Sequence, residues 1–309
     1  MMHGAWIPPS LRCIVHAQRP ARAFGGARHS VPVKPRRGRT IMAILAMSLD
    51  FRSGGQEVAT LIGEALGYKC SGKDQSLAYM KAAGGRWEQL FRDLDQERPS
   101  LWDRYDWEYR GFVALLEAYI YEHAARDKAI VIGQGGSFVL TDLPFVLKIR
   151  LTAPFELRVR RLMEKSEIGE KAAEDIVRRT DKARVGYVKA IYGKDWFDLK
   201  NYDMVFNAAT QPYDQIAKII VDALRAKDQM ITPDTWDVLV GRAVAARIRA
   251  RILTNPRIHV PTLKVSYDGS KIVLEGVVHN QKEQQMVEEI VLNSLEGRAL
   301  RNELHRRLV

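Results

Sequence analysis

Residues 42–228 predict an α/β fold, a parallel sheet with flanking helices, followed over 234–309 by a smaller α+β unit. Three observations carry this expectation. Ile41–Ser48, Ala129–Ile132 and Phe145–Leu151 are short, apolar and β-rich, and they run continuously rather than alternating, as strands covered on both faces do. Helical periods separate them, in the order that makes neighbouring strands parallel. Two glycine-rich turns, 53–55 and 133–136, follow the first two runs, at the carboxyl edge where such sheets gather ligands.

Taken along the chain, Gly55–Leu66 places Val58, Leu61, Ile62 and Leu66 on one helical face and closes on Gly67. A polar, aromatic-rich helical stretch covers Ser76–Arg126. After the strand Phe145–Leu151 come helices at Phe155–Lys165 and Glu170–Ile191, a strand Tyr202–Asn207 and a helix Tyr213–Ala226. Beyond Pro233, Asp234–Leu253 repeats Val240, Val244, Ile248 and Ile252 at every fourth position, with Arg242, Arg247, Arg249 and Arg251 around the rest. Those arginines read first as a solvated face and second as a patch for anionic lipid. Leu263–Tyr267 alternates, Asp268-Gly269 signals a hairpin turn, and Ile272–Val278 returns. Lys282–Leu295 is helical, ends at Gly297 and leads into a strand through Leu300 and Leu304.

With 309 residues, 46% of them hydrophobic and 28% charged, the chain has the length of about two globular domains. Its formal charge of +11 is unevenly placed: residues 1–41 hold eight Arg and Lys and no acid, 42–228 hold 28 of each sign, and 229–309 hold twelve basic against nine acidic. Nucleic-acid binding needs a basic face on a folded domain, so nucleic acid is not expected as a partner. Residues 1–41 read as a disordered basic leader: an organelle transit peptide, a basic arm, or sequence upstream of a start at Met42 or Met47, the last preferred. Ile41–Met47 is too short for a membrane span of about 20 residues, and no transmembrane segment is expected. Cys13 and Cys70 fall one in the leader and one in the domain, which argues against a disulfide framework or a Cys-based metal site and for a cytoplasmic location. His123 has no partner at metal-ligand spacing. The aromatics Trp87, Phe91, Trp102, Tyr105, Trp107, Tyr109, Phe112, Tyr119 and Tyr121 read as core, with a base pocket as the alternative; Trp196 and Tyr202 read as packing and Asp203 as a turn carboxylate.

The turn Ser48-Leu49-Asp50-Phe51-Arg52-Ser53-Gly54-Gly55-Gln56-Glu57 sits between strand and helix, where backbone N–H groups and a helix N-terminus can cradle phosphate. Against G-x-x-x-x-G-K-[ST] only Gly55 matches: Asp50 stands at the first glycine, Gln56 at the lysine and Glu57 at the hydroxyl. Arg158 and Arg161 share one helical face, as do Asp181 and Arg184. The first pair reads either as phosphate-binding cations or as a solvated helix paired with Glu156, Glu164 or Glu167, the second as a ligand site or a surface ion pair.

The motifs Ser53-Gly54-Gly55-x-Glu57, Ala65-Leu66-Gly67-Tyr68, Val131-Ile132-Gly133-x-Gly135, Leu151-Thr152-Ala153-Pro154, Arg158-x-x-Arg161, Asp181-Lys182-x-Arg184, Gly193-Lys194-Asp195-Trp196 and Asn201-Tyr202-Asp203, in that order, resemble the cytidylate kinase-like family of P-loop phosphotransferases. The resemblance covers 44–226 and implies a P-loop kinase fold, ATP and Mg2+ as cofactors, and a nucleoside monophosphate such as CMP or dCMP as substrate. It implies that the turn Ser53, Gly54, Gly55, Gln56 and Glu57 binds the nucleotide phosphates; Arg52 is expected to restore one charge there from the neighbouring position, and Glu57 to ligate magnesium in place of a hydroxyl. Arg158, Arg161 and Arg184 become the catalytic cations, and Gly133, Gln134, Gly135, Asp181 and Arg184 the residues that hold the monophosphate. The family usually has arginine at the positions of Leu49, Gln56 and Gln134 and glycine at that of Arg52, so positive charge is expected to be depleted at the phosphate site.

Residues 234–309 resemble a BON domain through Ile272-Val273-Leu274-Glu275-Gly276-Val277-Val278 with Val287, Ile290, Leu295 and Gly297 behind it. That implies binding of a ligand, membrane or protein partner. Two functions follow: an ATP-dependent nucleoside monophosphate kinase that a BON-like unit regulates or localises, or a nucleotide-binding sensor of weak or no activity acting through that unit.

Overall fold

The computed structural model describes residues 41–97, 99–100 and 102–307; the leader expectation lies outside them. Five parallel strands form the first sheet in the order β2-β3-β1-β4-β5. They are β1 (Ile44–Leu49), β2 (Lys69–Ser71), β3 (Ala129–Ile132), β4 (Val146–Thr152) and β5 (Met204–Asn207). Register follows Ala46↔Val131 on one side of β1 and Ala46↔Lys148 on the other. Central strands of a parallel sheet are buried on both faces, and β1 divides accordingly. Leu45 and Met47 pack with Val58 and Ile62 of α1 (Gly55–Leu66) and Ile216, Ile220 and Leu224 of α8 (Tyr213–Asp228). Ile44 and Ala46 face the opposite core, which holds Phe112, Leu115 and Leu116 of α4 (Trp107–Ala124).

The expected single helical stretch from Ser76 is three helices. α2 (Lys73–Ala83) and α3 (Gly85–Asp93) break at Gly84, whose φ is 141°, and α4 restarts where the Asp106 carboxylate accepts the Tyr109 N–H at 2.7 Å. The four-residue turn α5 (Gly136–Val139) follows β3. α6 (Phe155–Ser166) and α7 (Glu170–Tyr187) close a small cluster of their own, and α7 runs into a π-turn over Val188–Tyr192.

α9 (Pro233–Leu253) is apolar on more than one side because it lies between two layers. Trp236, Leu239, Val240 and Val244 belong to the core that contains α4, while Tyr267 of β6 (Lys264–Tyr267) packs against Gly241. The α9 arginines are neither a solvated face nor a lipid patch. Arg247 pairs with Glu122 at 2.7 Å and with Glu296, Arg249 with Glu117 at 2.7 Å, and Arg242 donates to Thr141 O at 2.7 Å. Arg247 and Arg249 tie α9 to α4 because Glu122 and Glu117 of that helix stand opposite, pairings between residues 125 and 132 apart that one-dimensional spacing does not show. The second sheet, β6-β7-β8, contains an antiparallel hairpin from β6 to β7 (Lys271–Val278), then α10 (Gln281–Leu292), then β8 (Ala299–Arg306) parallel to β7.

Candidate phosphate loop and nucleotide cavity

The loop that ends β1 is fixed from beneath by a buried ion pair. Asp50, 8% exposed, accepts from Arg150 Nη2 at 2.7 Å and from Thr152 Oγ1, both on β4. Arg150, itself 4% exposed, donates to Trp196 O at 3.0 Å and stacks 4.2 Å from that indole. Trp196 and Tyr202 are therefore packing residues, as expected, with the added task of burying a guanidinium. Asp203, expected as a turn carboxylate, instead accepts the N–H of Lys148 on β4 at 2.8 Å and pairs with Lys227 at 3.4 Å.

Above this floor the chain turns through two left-handed residues, Arg52 (φ 62°) and Gly54 (φ 98°), with Ser53 N–H donating to Asp50 O at 3.1 Å. Gly54 must be glycine on two counts: its positive φ, and the ring of Tyr213, which occupies the place a Cβ would take. Gly55 opens α1, and the N–H groups of Gly55, Gln56 and Glu57 form that helix's unpaired first turn. Gln56 and Glu57 are exposed. Ser53 Oγ and Arg52 Nε are buried without hydrogen-bond partners among the described residues.

Three guanidinium groups reach this loop from later helices, each through a main-chain carbonyl. Arg184 Nη1 donates to Leu49 O at 2.9 Å, Arg158 Nη1 to Phe51 O at 3.2 Å, and Arg161 Nη1 to Arg52 O at 3.2 Å. Arg158 is 6% exposed and also pairs with Asp181 at 2.8 Å, so it neither lies on a solvated face nor pairs with the glutamates of its own helix. Asp181 and Arg184 do not pair with each other. Burial holds Asp181 above the usual carboxylate range against the lowering pull of Arg158.

Beside the loop, between the carboxyl ends of β1 and β3, lies a cavity of about 170 Å³. Ser48, Leu49 and Gln56 form one wall, Gly133, Gln134 and Gly135 another, and Phe91, Leu94, Phe138, Tyr187 and Trp196 supply apolar surface. Gln134 sits at φ 56° between two left-handed glycines and its Oε1 accepts from Ser76 Oγ at 2.6 Å. Of the aromatics expected as core, Phe91 borders this cavity, while Trp102 and Tyr105 are exposed, at 79% and 67%.

Sequence reasoning missed the apolar lining residues Leu94, Phe138, Tyr187 and Val188 and two charged ones. Lys73 at the start of α2 and Asp95 after α3 meet Arg184 there: Lys73 Nζ and Arg184 Nε each lie 3.0 Å from the Asp95 carboxylate. Burial raises a carboxyl, yet Arg184 and Lys73 hold Asp95 down at about 2. Charge has thus left the loop positions 49, 56 and 134 but not the cavity, where two cations share one internal anion. His123 is half-buried, desolvation lowers it to about 4, and its ring contacts Lys69 O at 3.1 Å; among the described residues no group of three or more His, Cys, Asp or Glu can hold a metal.

The loop and the cavity stand together on a sheet whose β1 lies between β3 and β4, and the sequence model of the cytidylate kinase-like family matches residues 44–210. The chain belongs to that family. Its domain is accordingly nucleotide kinase-like, and the family implies use of ATP. It is 29% identical over 163 residues to a cytidylate kinase of Sulfurisphaera tokodaii, a match that covers 51% of this chain and 87% of that protein. A uronate isomerase of Corynebacterium glutamicum is 32% identical over 108 residues, 34% of this chain, and the chain spans 20% of that protein's length. Among solved structures, an uncharacterized protein from Eubacterium ventriosum aligns over 60% of this chain and 99% of its own (18% identity, TM-score 0.46). Deoxyadenosine kinase from M. mycoides with dCMP and dCDP bound aligns over 59% and 99% (13% identity, TM-score 0.35). No described helix is long and apolar enough to cross a membrane.

Proposed function

We propose that this chain transfers a phosphoryl group from ATP to a nucleoside monophosphate of the CMP or dCMP type. The cavity takes the acceptor and the Ser53–Gly55 turn the triphosphate. The observation that carries this reading is the meeting of Lys73 and Arg184 on Asp95 inside the cavity. Phosphoryl transfer relies on positioned cations rather than covalent help. A phosphate group is more highly charged than one carboxylate, and arginine can grip it with two parallel hydrogen bonds. Asp95 therefore holds both cations in place until a monophosphate displaces it. The cavity of about 170 Å³ is below the ~300 to 1,000 Å³ of common ligand sites, so an incoming nucleotide has to push this carboxylate aside.

Arg158, Arg161 and Arg184 pull the loop carbonyls of residues 51, 52 and 49 outward, which leaves the first-turn N–H groups of α1 for phosphate oxygens. Asp181, expected to meet the acceptor sugar or base, does not line the cavity; it orients Arg158 beneath the loop instead. Mg2+ in such sites is held by one or two carboxylates and by the phosphates themselves. The exposed Glu57, in the first turn of α1, fits that minimal demand, and the ion would neutralise phosphate charge there. Residues 234–309, with their BON-like second sheet, localise or regulate the kinase domain.

A second reading, nucleotide binding without turnover, is favoured by one observation: Arg158 and Arg161 are engaged by main-chain carbonyls while positions 49, 56 and 134 are neutral. Loss of a transition-state cation costs ~10³ to 10⁵ in rate, about 4 to 7 kcal/mol of barrier. A coupled ADP-release assay with CMP, dCMP, UMP and AMP, run beside calorimetric titration, separates the two. Turnover with a cytidine nucleotide supports transfer; saturable binding without ADP release selects the sensor; neither response overturns both.

A further inference from the structure

The second sheet ends in an open edge. β8 runs eight residues, Ala299–Arg306, pairs with β7 on one side only, and six of its residues are exposed. Among the described residues no element covers its other side. Such an edge is a template for another strand, and proteins that remain apart usually blunt it with charged side chains, proline or a bulge. β8 has neither proline nor bulge, and its charges, Arg301, Glu303 and Arg306, are of both signs. Its central five residues, Leu300-Arg301-Asn302-Glu303-Leu304, are instead complementary to themselves when reversed.

We infer that the chain forms a two-fold dimer in which β8 pairs antiparallel with β8 of a second copy, centred on Asn302, giving one six-stranded sheet. Opposed residues in an antiparallel pair lie on the same face, so a two-fold axis must pass through a residue. Centred on Asn302, Arg301 of each copy lies opposite Glu303 of the other, twice. Leu300 lies opposite Leu304, also twice. Centred on Arg301 the pairing sets two guanidinium groups face to face, and centred on Glu303 two carboxylates; like charges directly opposed destabilise a ladder. In the single chain Arg301 already reaches Glu303 at 3.0 Å and Asp268 at 3.3 Å, but the Arg301–Glu303 pair is half in solvent, where it counts for little. Leu300 and Leu304 are half-buried and pack against the core that extends under β7, so the pairing lengthens that apolar layer across the axis. Asn302, at the centre, hydrogen-bonds Glu288 of α10 at 2.9 Å through its amide nitrogen, and its Oδ1 accepts the Leu304 N–H at 3.1 Å.

Light scattering of the full chain on a sizing column, at micromolar concentration, tests this. The wild type is expected at twice its 35.1 kDa mass. Arg301→Glu and Glu303→Arg should each raise the dissociation constant tenfold or more, and the double variant R301E/E303R should restore it, because the opposed pairs are then Glu with Arg again. Thermal melting of each variant checks that the fold persists. Amide exchange supplies a readout independent of mutation: Leu300 and Asn302 should gain protection as concentration rises. A wild type that stays at 35.1 kDa, single variants that dimerise unchanged, or a swap that fails to recover a dimer the single variants lost would overturn the pairing.

Discussion

Asp95 shows how one side chain can bind two cations and carry part of the fold's stability. Its carboxylate lies 3.0 Å from Lys73 and 3.0 Å from Arg184 and is held at about 2 rather than 3.8. A carboxyl lowered on folding stabilises the native state above its unfolded value near 4 and loses that contribution as pH falls towards 2. The difference corresponds to about 2 kcal/mol. Urea midpoints measured at pH 6 and pH 2.5 should accordingly drop further in the wild type than in Asp95→Asn. Arg52 offers a second residue-scale test. A non-glycine side chain at φ 62° costs roughly 1 kcal/mol or more, so Arg52→Gly is expected to raise the unfolding free energy by about that amount and with it the urea midpoint. A fall in the midpoint would mean that the arginine side chain holds the loop in place. The departure at Arg52 was legible in the sequence. The Asp95 cluster was not, since its members are 22 and 89 residues apart and no periodicity links them.

At the scale of elements, the β1–α1 turn and the α9–α4 contact rest on buried ion pairs. Such pairs weigh most when one partner is removed and the other charge is left in the interior, a loss of about 3 to 5 kcal/mol. Asp50→Ala strands Arg150, whose side chain is 5% exposed, and should cost that much in chemical denaturation. Arg247→Ala strands Glu122 and Glu296, and the same cost should appear with faster proteolytic cleavage of the chain near α9. An unchanged cleavage pattern would show that apolar packing alone holds α9 in place. The bounds of α1 and β3 agree with the expectation because Gly54, Gly67 and Gly133 punctuate them. The break between α2 and α3 was equally available in Gly84-Gly85 but was masked by the helical composition around it. β2, three residues long and paired on one side only, is too short to produce a period. An arginine in the middle of β4, a strand buried on both faces, was the overlooked sign that a carboxylate partner such as Asp50 must stand beside it.

For the whole molecule, alternating strands and helices were enough to predict the parallel sheet, and the two glycine turns do lie at its carboxyl edge, where the cavity opens. The layout of α9 was not, because a helix buried between two layers carries no single apolar stripe. Its basic residues looked solvated only while α4 was absent from the picture. The central claim is that loop and cavity form one nucleotide site whose cations an internal carboxylate holds in reserve. Calorimetric titration of CMP into the wild type and into Asp95→Asn at neutral pH tests it most directly. The account predicts saturable binding by the wild type, tightened at least tenfold in the variant, since Lys73 and Arg184 are then free for phosphate. Absence of binding in both, or equal affinity in the two, would contradict it.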